Sequence, residues 1–208
     1  MNHFNSIKIS LTNVGDILAI VIFFIFTLAS RTLYNGPYSP FNNWLSDLGN
    51  SSKNPSWYIY FDIGCILLGF AVIIQTVGLV RWKTINRNQD NLILISQYCG
   101  LLMAIAVIMV GIFSEDYGRI HYIVAAVFFA LLLIFMTIIN IALKTHTKYI
   151  KWIWYYAVLS ILTNVTFILT FIIGLDIYIL EWLVVFSGSI WMVLISYNAL
   201  KIEDYVNN

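Results

Sequence analysis

Six apolar runs, each about as long as a lipid bilayer is thick, dominate this chain of 208 residues. A membrane-spanning helix needs roughly 20 apolar residues. The predicted spans are residues 11–30, 57–80, 91–113, 120–143, 151–174 and 178–200. Only 10% of the residues are charged, whereas soluble domains carry about a quarter. The sequence therefore predicts an all-α integral membrane protein, a six-helix bundle that forms one transmembrane domain over residues 1–208.

The distribution of lysine and arginine predicts how the bundle is oriented, because cytoplasmic loops are enriched in both residues. The segments on the side of the N-terminus hold Lys8, Arg81, Lys83, Arg87, Lys144, Lys148, Lys151 and Lys201. The segments on the other side hold only Arg31, Lys53 and Arg119. We therefore predict that both termini are cytoplasmic. The one long loop, residues 31–56 between the first and second helices, is predicted to lie outside.

Charge and motif content argue against several classes of protein. The net charge of +1 gives no clustered basic surface for nucleic acid, so no nucleic-acid partner is predicted. The chain has no nucleotide-binding fingerprint and no Cys-x-x-Cys motif. Its two cysteines, Cys65 and Cys99, fall inside apolar runs and are interpreted as packing residues. Because no soluble domain is predicted beside the six spans, any chemistry of this chain is expected to take place in or at the bilayer.

One stretch, "GIFSEDYGRIHYIVAAVFF" at residues 111–129, interrupts two apolar runs with four ionisable residues. They are Glu115, Asp116, Arg119 and His121. A solvated turn between two helices is the ordinary interpretation of such a stretch. Taken alone, it does not predict a site.

Two carboxylates inside predicted spans make a functional site at this end of the bundle a stronger alternative to a solvated turn. Asp62 lies more than a turn inside the second helix, and Glu181 lies almost a turn inside the sixth. A carboxylate within a membrane is costly and indicates function, unless an arginine such as Arg31 or Arg119 is its structural partner. Both interpretations remain open from the sequence.

The long outer loop adds further polar groups in "NWLSDLGN", where Gly49 and Asn50 suit a tight turn. Four separate segments thereby bring acid, amide, hydroxyl and imidazole groups to one depth. The predicted ligand-binding residues are Ser46, Asp47, Asn50, Asp62, Glu115, Asp116, Arg119, His121 and Glu181. The alternative is a structural network of ion pairs that pins the loop to the bundle.

Carboxylates beside one imidazole suit either a divalent cation or a general acid–base pair. The candidates for both roles are Asp62, His121 and Glu181. No cofactor is predicted, although a divalent metal is compatible with these side chains. A three-histidine zinc site is excluded, because His3 and His146 fall at the opposite, cytoplasmic side.

The order of these features resembles a known membrane family. The motifs are "LSDLGN" in the loop, "NPSWYIYFDIGCILLGF" at the second helix, "GIFSEDYGRIHYIVAAVFF", and "EWLVVFSGSIW" at the sixth helix. They resemble a prokaryotic six-helix family filed as domain of unknown function 998. That family looks related to the eukaryotic damage-regulated autophagy modulator and FGF-receptor-activating-protein group. The shared positions would be Ser46, Gly49, Asn54, Gly111, Phe113, His121 and Glu181.

The resemblance implies a function linked to lipids without assigning a reaction. The eukaryotic relatives are implicated in lipid and GPI-anchor remodelling and in lysosomal membranes. For this chain the resemblance implies the plasma membrane of a prokaryote. The sequence departs from the family at Ser114, where a proline is common, so the geometry of that turn is expected to differ.

Four hypotheses follow. The first is an outer pocket for a lipid headgroup or a polar small molecule. The second is a membrane-embedded lipid hydrolase or transferase, with Glu181 or Asp62 as base and His121 as acid. The third is a structural subunit of a larger membrane complex, and the fourth is a coupled transporter that uses Asp16 and Asp62. Membrane lipids are the expected partners, other membrane subunits are the alternative, and whether a reaction is catalysed stays open.

Overall fold

The computed structural model describes residues 10–83 and 86–206, with side chains described up to residue 201. The described residues form six long helices: α1 Leu11–Thr32, α2 Tyr58–Gly78, α3 Arg87–Ile112, α4 Arg119–Lys144, α5 Lys151–Ile172 and α6 Tyr178–Val206. All six are long and apolar enough to span a membrane. The predicted all-α, six-helix membrane fold is confirmed. Lys8 and the chain ends lie outside the described residues, and the orientation stays a prediction.

Local signals explain where the helices differ from the predicted bounds. Helix α3 begins at Arg87 instead of residue 91, because the Asn86 side chain accepts hydrogen bonds from the backbone N–H groups of Asn88 (3.0 Å) and Gln89 (3.4 Å). Helix α5 ends at Ile172 instead of residue 174. Gly174 follows with a φ of 73°, a left-handed conformation that favours glycine and stops a helix.

The helices α1 to α4 pack as consecutive neighbours, and α6 closes the bundle against α1. The Asn13 amide of α1 donates to the Ser196 backbone oxygen of α6 at 2.7 Å. Helix α5 lies at the periphery against α4 and α6. Only 22% of an apolar stretch of 18 residues in α5 is buried inside the bundle, against 50% of the corresponding stretch in α2. The looser packing of α5 leaves space beside α4.

Small and polar residues face inward on several helices, as on α1, α2 and α3. The stripe of Asp62, Cys65, Gly69 and Thr76 on α2 is buried throughout. On α5, Ser160 and Asn164 are buried, whereas Gly174 lies beyond the helix end and is exposed. Small residues allow close helix approach in a membrane, where packing and hydrogen bonds drive association.

The connection between α1 and α2 folds back over one end of the bundle. Tyr38, Leu45 and Leu48 of this connection are each at most 7% exposed and pack among apolar side chains of α1, α2 and α3. Residues 45–49 form a short 3₁₀ helix, Leu45–Gly49, called the loop helix below. The long loop thus covers the bundle at this end, which we call the loop end.

Candidate functional site

Side-chain hydrogen bonds fix the long loop to the helices beneath it. The Asn54 amide is fully buried and donates to the backbone oxygens of Ser30 (3.1 Å) and Leu48 (2.9 Å). The Trp182 indole N–H of α6 donates to the Asn43 backbone oxygen at 3.0 Å. These bonds hold the loop helix above the bundle interior.

Gly49 lets the loop helix lie directly on α2. A Cβ atom at this position would lie 2.6 Å from Oδ1 of Asp62, so any larger residue would lift the loop. The predicted tight turn at Gly49 and Asn50 is wrong in its position, since Gly49 is the last residue of the loop helix. The turn comes one step later, where Asn50 Oδ1 accepts from the N–H groups of Ser52 (2.9 Å) and Lys53 (3.1 Å).

Glu181 receives the first backbone N–H group of the loop helix. Its Oε2 accepts from the Leu45 N–H at 2.6 Å, and the Ser46 amide is directed at the same carboxylate. The first N–H groups of any helix lack intrahelical partners, which explains this contact. Within the part of the chain that the structure describes, no lysine, arginine or histidine forms an ion pair with this carboxylate, although Glu181 is only 7% exposed.

Arginine partners of the two membrane carboxylates, which one of the two open interpretations requires, are not found among the described residues. Among the described residues, no hydrogen bond or ion pair is made by the Asp62 carboxylate. Arg31 instead donates to the Tyr38 backbone oxygen at 3.1 Å and lies over the Tyr38 ring. Arg119 is exposed at the start of α4. The structural interpretation of Asp62 and Glu181 as arginine-paired carboxylates is therefore wrong.

His121 is presented by the turn that begins α4. Gly118 has a φ of 51°, which reverses the chain after α3 and starts the helix. Nδ1 of His121 lies 2.8 Å from the Phe113 backbone oxygen. Because a carbonyl oxygen only accepts hydrogen bonds, Nδ1 carries the proton. In the neutral ring, Nε2 is therefore left as an acceptor on a side chain that is 3% exposed.

An ion network that does not involve Glu181 or His121 connects the long loop with the turn between α3 and α4. The Lys53 ammonium bridges Asp47 (2.7 Å) and Glu115 (3.0 Å). Burial lowers the pKa of Lys53, but hydrogen bonds to both carboxylates outweigh it and raise that pKa above its ordinary value. Burial and the nearby Asp47 charge raise the pKa of Glu115, because one ammonium serves two carboxylates. This network pins the loop, as the structural alternative predicts for these residues.

A second clamp joins the loop to the turn between α3 and α4. Asp116 accepts the Ser51 backbone N–H at 3.0 Å. With the Lys53 bridge, it ties the middle of the long loop to the segment that presents His121. The loop and this turn therefore form one rigid rim.

Two cavities meet inside this rim. The inner chamber, of about 70 Å³, lies at the centre of the bundle and is lined mainly by apolar residues of α1, α2, α3 and α4. The side cleft, of about 590 Å³, lies between α4 and α5 below the loop helix. The residues that line both cavities are Ser46, His121, Ala125, Phe129 and Glu181.

The side cleft is polar at the loop end and apolar below. Ala125, Ala126 and Ala130 make a groove along α4, and Phe167 and Ile168 of α5 face it across the cleft. Its remaining lining residues are Trp44, Ser46, His121, Tyr122, Phe129, Phe171, Ile172, Asp176 and Glu181. Tyr122 and Ile172 are 47% and 72% exposed. The cleft therefore opens on the flank of the bundle, where an integral membrane protein meets lipid.

The cavities divide the nine predicted ligand-binding residues. Ser46, His121 and Glu181 line both cavities. The other six, which line neither cavity, are Asp47, Asn50, Asp62, Glu115, Asp116 and Arg119. Sequence reasoning missed Trp44 and Asp176 in the cleft and Lys53 in the ion network. The alanines of "AAVFFA" at residues 125–130 were a usable signal, because small residues on one helix face leave a groove.

The metal candidates do not come together. Among the residues that the structure describes, no three His, Cys, Asp or Glu side chains are grouped so that they could hold a metal ion. Asp62 lies under Gly49, away from the two cavities that His121 and Glu181 line. What the arrangement offers is a hydroxyl, an imidazole acceptor and a carboxylate without an ion-pair partner above an apolar groove.

Comparison with known protein families identifies a match over most of the chain. Residues 17–198 match the sequence profile of a family described as "Protein of unknown function (DUF998)". No curated protein and no solved structure matches the chain. The suggested kinship with the eukaryotic autophagy-modulator and receptor-activating-protein group stays a prediction.

Proposed function

This chain belongs to the DUF998 family of proteins of unknown function, and from its geometry we propose that the side cleft binds a membrane lipid or a related amphiphile. One observation carries the proposal. Ser46, His121 and Glu181 form the polar end of a cleft whose other walls are apolar and which opens on the flank of the bundle. A molecule with a polar head and an apolar chain matches this gradient.

The dimensions of the cleft support an amphiphile over a small polar solute. Its volume of about 590 Å³ falls within the roughly 300–1,000 Å³ of ordinary ligand pockets. A small polar molecule would leave the groove of Ala126 and Ala130 without an apolar partner. A lipid chain would fill that groove without leaving the bilayer.

In this proposal the six other predicted residues do not touch the ligand. Asp47, Glu115 and Asp116 hold the loop that carries Ser46. The proposal keeps the predicted orientation, with the loop end outside the plasma membrane of a prokaryote and both termini in the cytoplasm. Membrane lipids are then the partners from which the ligand is drawn.

The test compares lipid retention in two variants that carry the same substitution. Ala126→Trp places an indole in the side cleft, whereas Ile134→Trp lies two turns further along α4 at a position that is 47% exposed and outside the cleft. We expect native mass spectrometry of the protein purified in mild detergent to find one lipid species bound to the wild type and to Ile134→Trp. Ala126→Trp should retain about tenfold less, a loss of ~1.4 kcal/mol of binding free energy.

Two outcomes would contradict the proposal. One is equal retention by Ala126→Trp and Ile134→Trp, which would place the bound lipid on the general surface of the bundle. The other is a wild type that carries only a random sample of the membrane lipids. Comparable melting temperatures of the two variants serve as the folding control.

A membrane lipid hydrolase or transferase is the second candidate function, and the tautomer of His121 favours it. With Nδ1–H donated to Phe113, Nε2 suits a general base more than the acid expected from the sequence. As a bound water or the Ser46 hydroxyl attacks an ester carbonyl, Nε2 would take its proton. When the ester C–O bond breaks, that proton would pass to the departing alcohol. Glu181 is held by the loop helix and would position the site.

This candidate predicts turnover that depends on His121. Purified protein incubated with bilayer phospholipids should release fatty acid or an acyl-exchanged lipid, measured by mass spectrometry. His121→Ala should lower the rate at least a hundredfold, the usual contribution of a general base, with an unchanged melting temperature. Equal product from wild type and His121→Ala would remove the enzyme hypothesis and leave the binding proposal intact.

A further inference from the structure

We propose that the side cleft selects an amphiphile with a cationic head, a long-chain amine whose ammonium group contacts Glu181. The inference rests on the proposed function and deepens it by naming the class of ligand. It states which charge on the ligand head the polar end of the cleft favours.

The charges that line the side cleft have one sign. Of its fourteen lining residues, Asp176 and Glu181 are carboxylic acids, and none is lysine or arginine. Like charges at short range cost free energy when they lie in a site with little water. A phosphate or carboxylate head would face these acids without any cation to offset them.

Glu181 is the side chain that most needs a ligand cation. Its Oε2 accepts the Leu45 N–H at 2.6 Å, and within the described residues no cationic side chain forms an ion pair with it. At 7% exposure, water cannot fully solvate the carboxylate. A buried carboxylate without a counter-charge is strongly unfavourable. An ammonium group in the cleft would supply the missing counter-charge.

Nearby protein cations are engaged elsewhere. Lys53 bridges Asp47 and Glu115 at 2.7 and 3.0 Å in the outer rim. Arg31 donates to the Tyr38 backbone oxygen at 3.1 Å. Neither these two residues nor the exposed Arg119 lines the cleft, so within the described residues no lysine or arginine neutralises its polar end.

The remaining polar end of the cleft suits an ammonium group. The Ser46 hydroxyl and Nε2 of the neutral His121 can both accept N–H hydrogen bonds. Trp44 and Tyr122 add aromatic rings to the wall, and aromatic faces attract cations. The alanine groove below accepts an apolar chain. An alkyl amine therefore matches both ends of the cleft.

The test uses three probes that share one chain and differ only in the head: hexadecylamine, hexadecanol and hexadecyl phosphate. Each is added at low mole fraction to the purified protein in mild detergent, and thermal unfolding reports binding, because a ligand of the folded state raises its stability. We expect hexadecylamine to bind about tenfold more tightly than hexadecanol, and hexadecyl phosphate to give no stabilisation. A tenfold ratio corresponds to ~1.4 kcal/mol.

Glu181→Gln isolates the charge, because the glutamine side-chain oxygen can still accept the Leu45 N–H. This variant should bind the amine and the alcohol equally. Asp176→Asn, at the exposed mouth of the cleft, provides a second variant that does not depend on the loop contact. It should reduce the amine preference about threefold, or ~0.7 kcal/mol.

The outcomes separate this inference from the proposed function. Equal stabilisation by amine and alcohol in the wild type, abolished by Ala126→Trp, would overturn the cationic selectivity and support the cleft as a lipid site. Preference for the phosphate, or an amine preference that survives both Glu181→Gln and Asp176→Asn, would also overturn the selectivity. Probe effects that Ala126→Trp leaves unchanged would instead overturn the proposed function.

Discussion

Gly15→Ala is expected to destabilise the protein by about 3 kcal/mol, the upper end of the usual effect of overpacking a core. The added Cβ atom would meet the backbone nitrogen and Cα of Gln75 on α2. A flexible side chain could move aside, but backbone cannot, so α1 and α2 would have to separate. Gly78 makes the reciprocal contact, since its own Cβ would meet the Thr12 backbone. Thermal or denaturant unfolding in detergent measures the effect.

Gly188→Ala is the matched control for that prediction. Gly188 is also buried within a helix, but its added Cβ would meet only Cδ2 of Leu132 at 4.0 Å, an ordinary contact distance. Alanine favours a helix over glycine by roughly 0.5–1 kcal/mol. We therefore expect this variant to be as stable as the wild type or slightly more stable. Similar losses in both variants would contradict the close contact of α1 with α2.

Lys53→Met is expected to cost about 2 kcal/mol and to loosen the long loop. Breaking a fully buried ion pair costs roughly 3–5 kcal/mol, because the remaining charge is left without a partner. The value here is smaller, because the Lys53 side chain is 41% exposed and its bonds are partly screened. The substitution leaves the carboxylates of Asp47 and Glu115 facing each other. A lower melting temperature and faster proteolysis within residues 39–56 are the measurements.

The triple variant Lys53→Met, Asp47→Asn, Glu115→Gln tests whether the loss is electrostatic. Removing all three charges removes the repulsion while nearly preserving the shape of the rim. The triple variant should regain more than half of the stability lost by Lys53→Met alone. If it is no more stable than the single variant, packing of the lysine chain rather than charge explains the effect.

The length of the apolar runs explains why the fold was predictable from the sequence. A run of about 20 apolar residues has few alternatives to a membrane helix, because unpaired backbone groups are costly in lipid. The bounds differed where a side chain decides them, as at Asn86, whose capping bond adds a turn to α3.

The candidate site was predictable in its residue types and only partly in its grouping. Ser46, His121 and Glu181 were predicted and line one pair of cavities. Asp47 and Glu115 were predicted with them, but they pair with Lys53, and sequence alone does not tell which carboxylate a flexible lysine will reach. The side cleft depends on how loosely α5 packs on α4. That is a tertiary property, which no local pattern reports.

The most direct test of the central claim is an experimental structure of the protein in a lipid nanodisc. The account predicts elongated density in the side cleft, running along Ala126 and Ala130, with its polar end within hydrogen-bond distance of Glu181 Oε1. It also predicts that Ala126→Trp loses this density while the bundle is unchanged. A side cleft closed by α5, or one filled only by ordered water, would contradict the account.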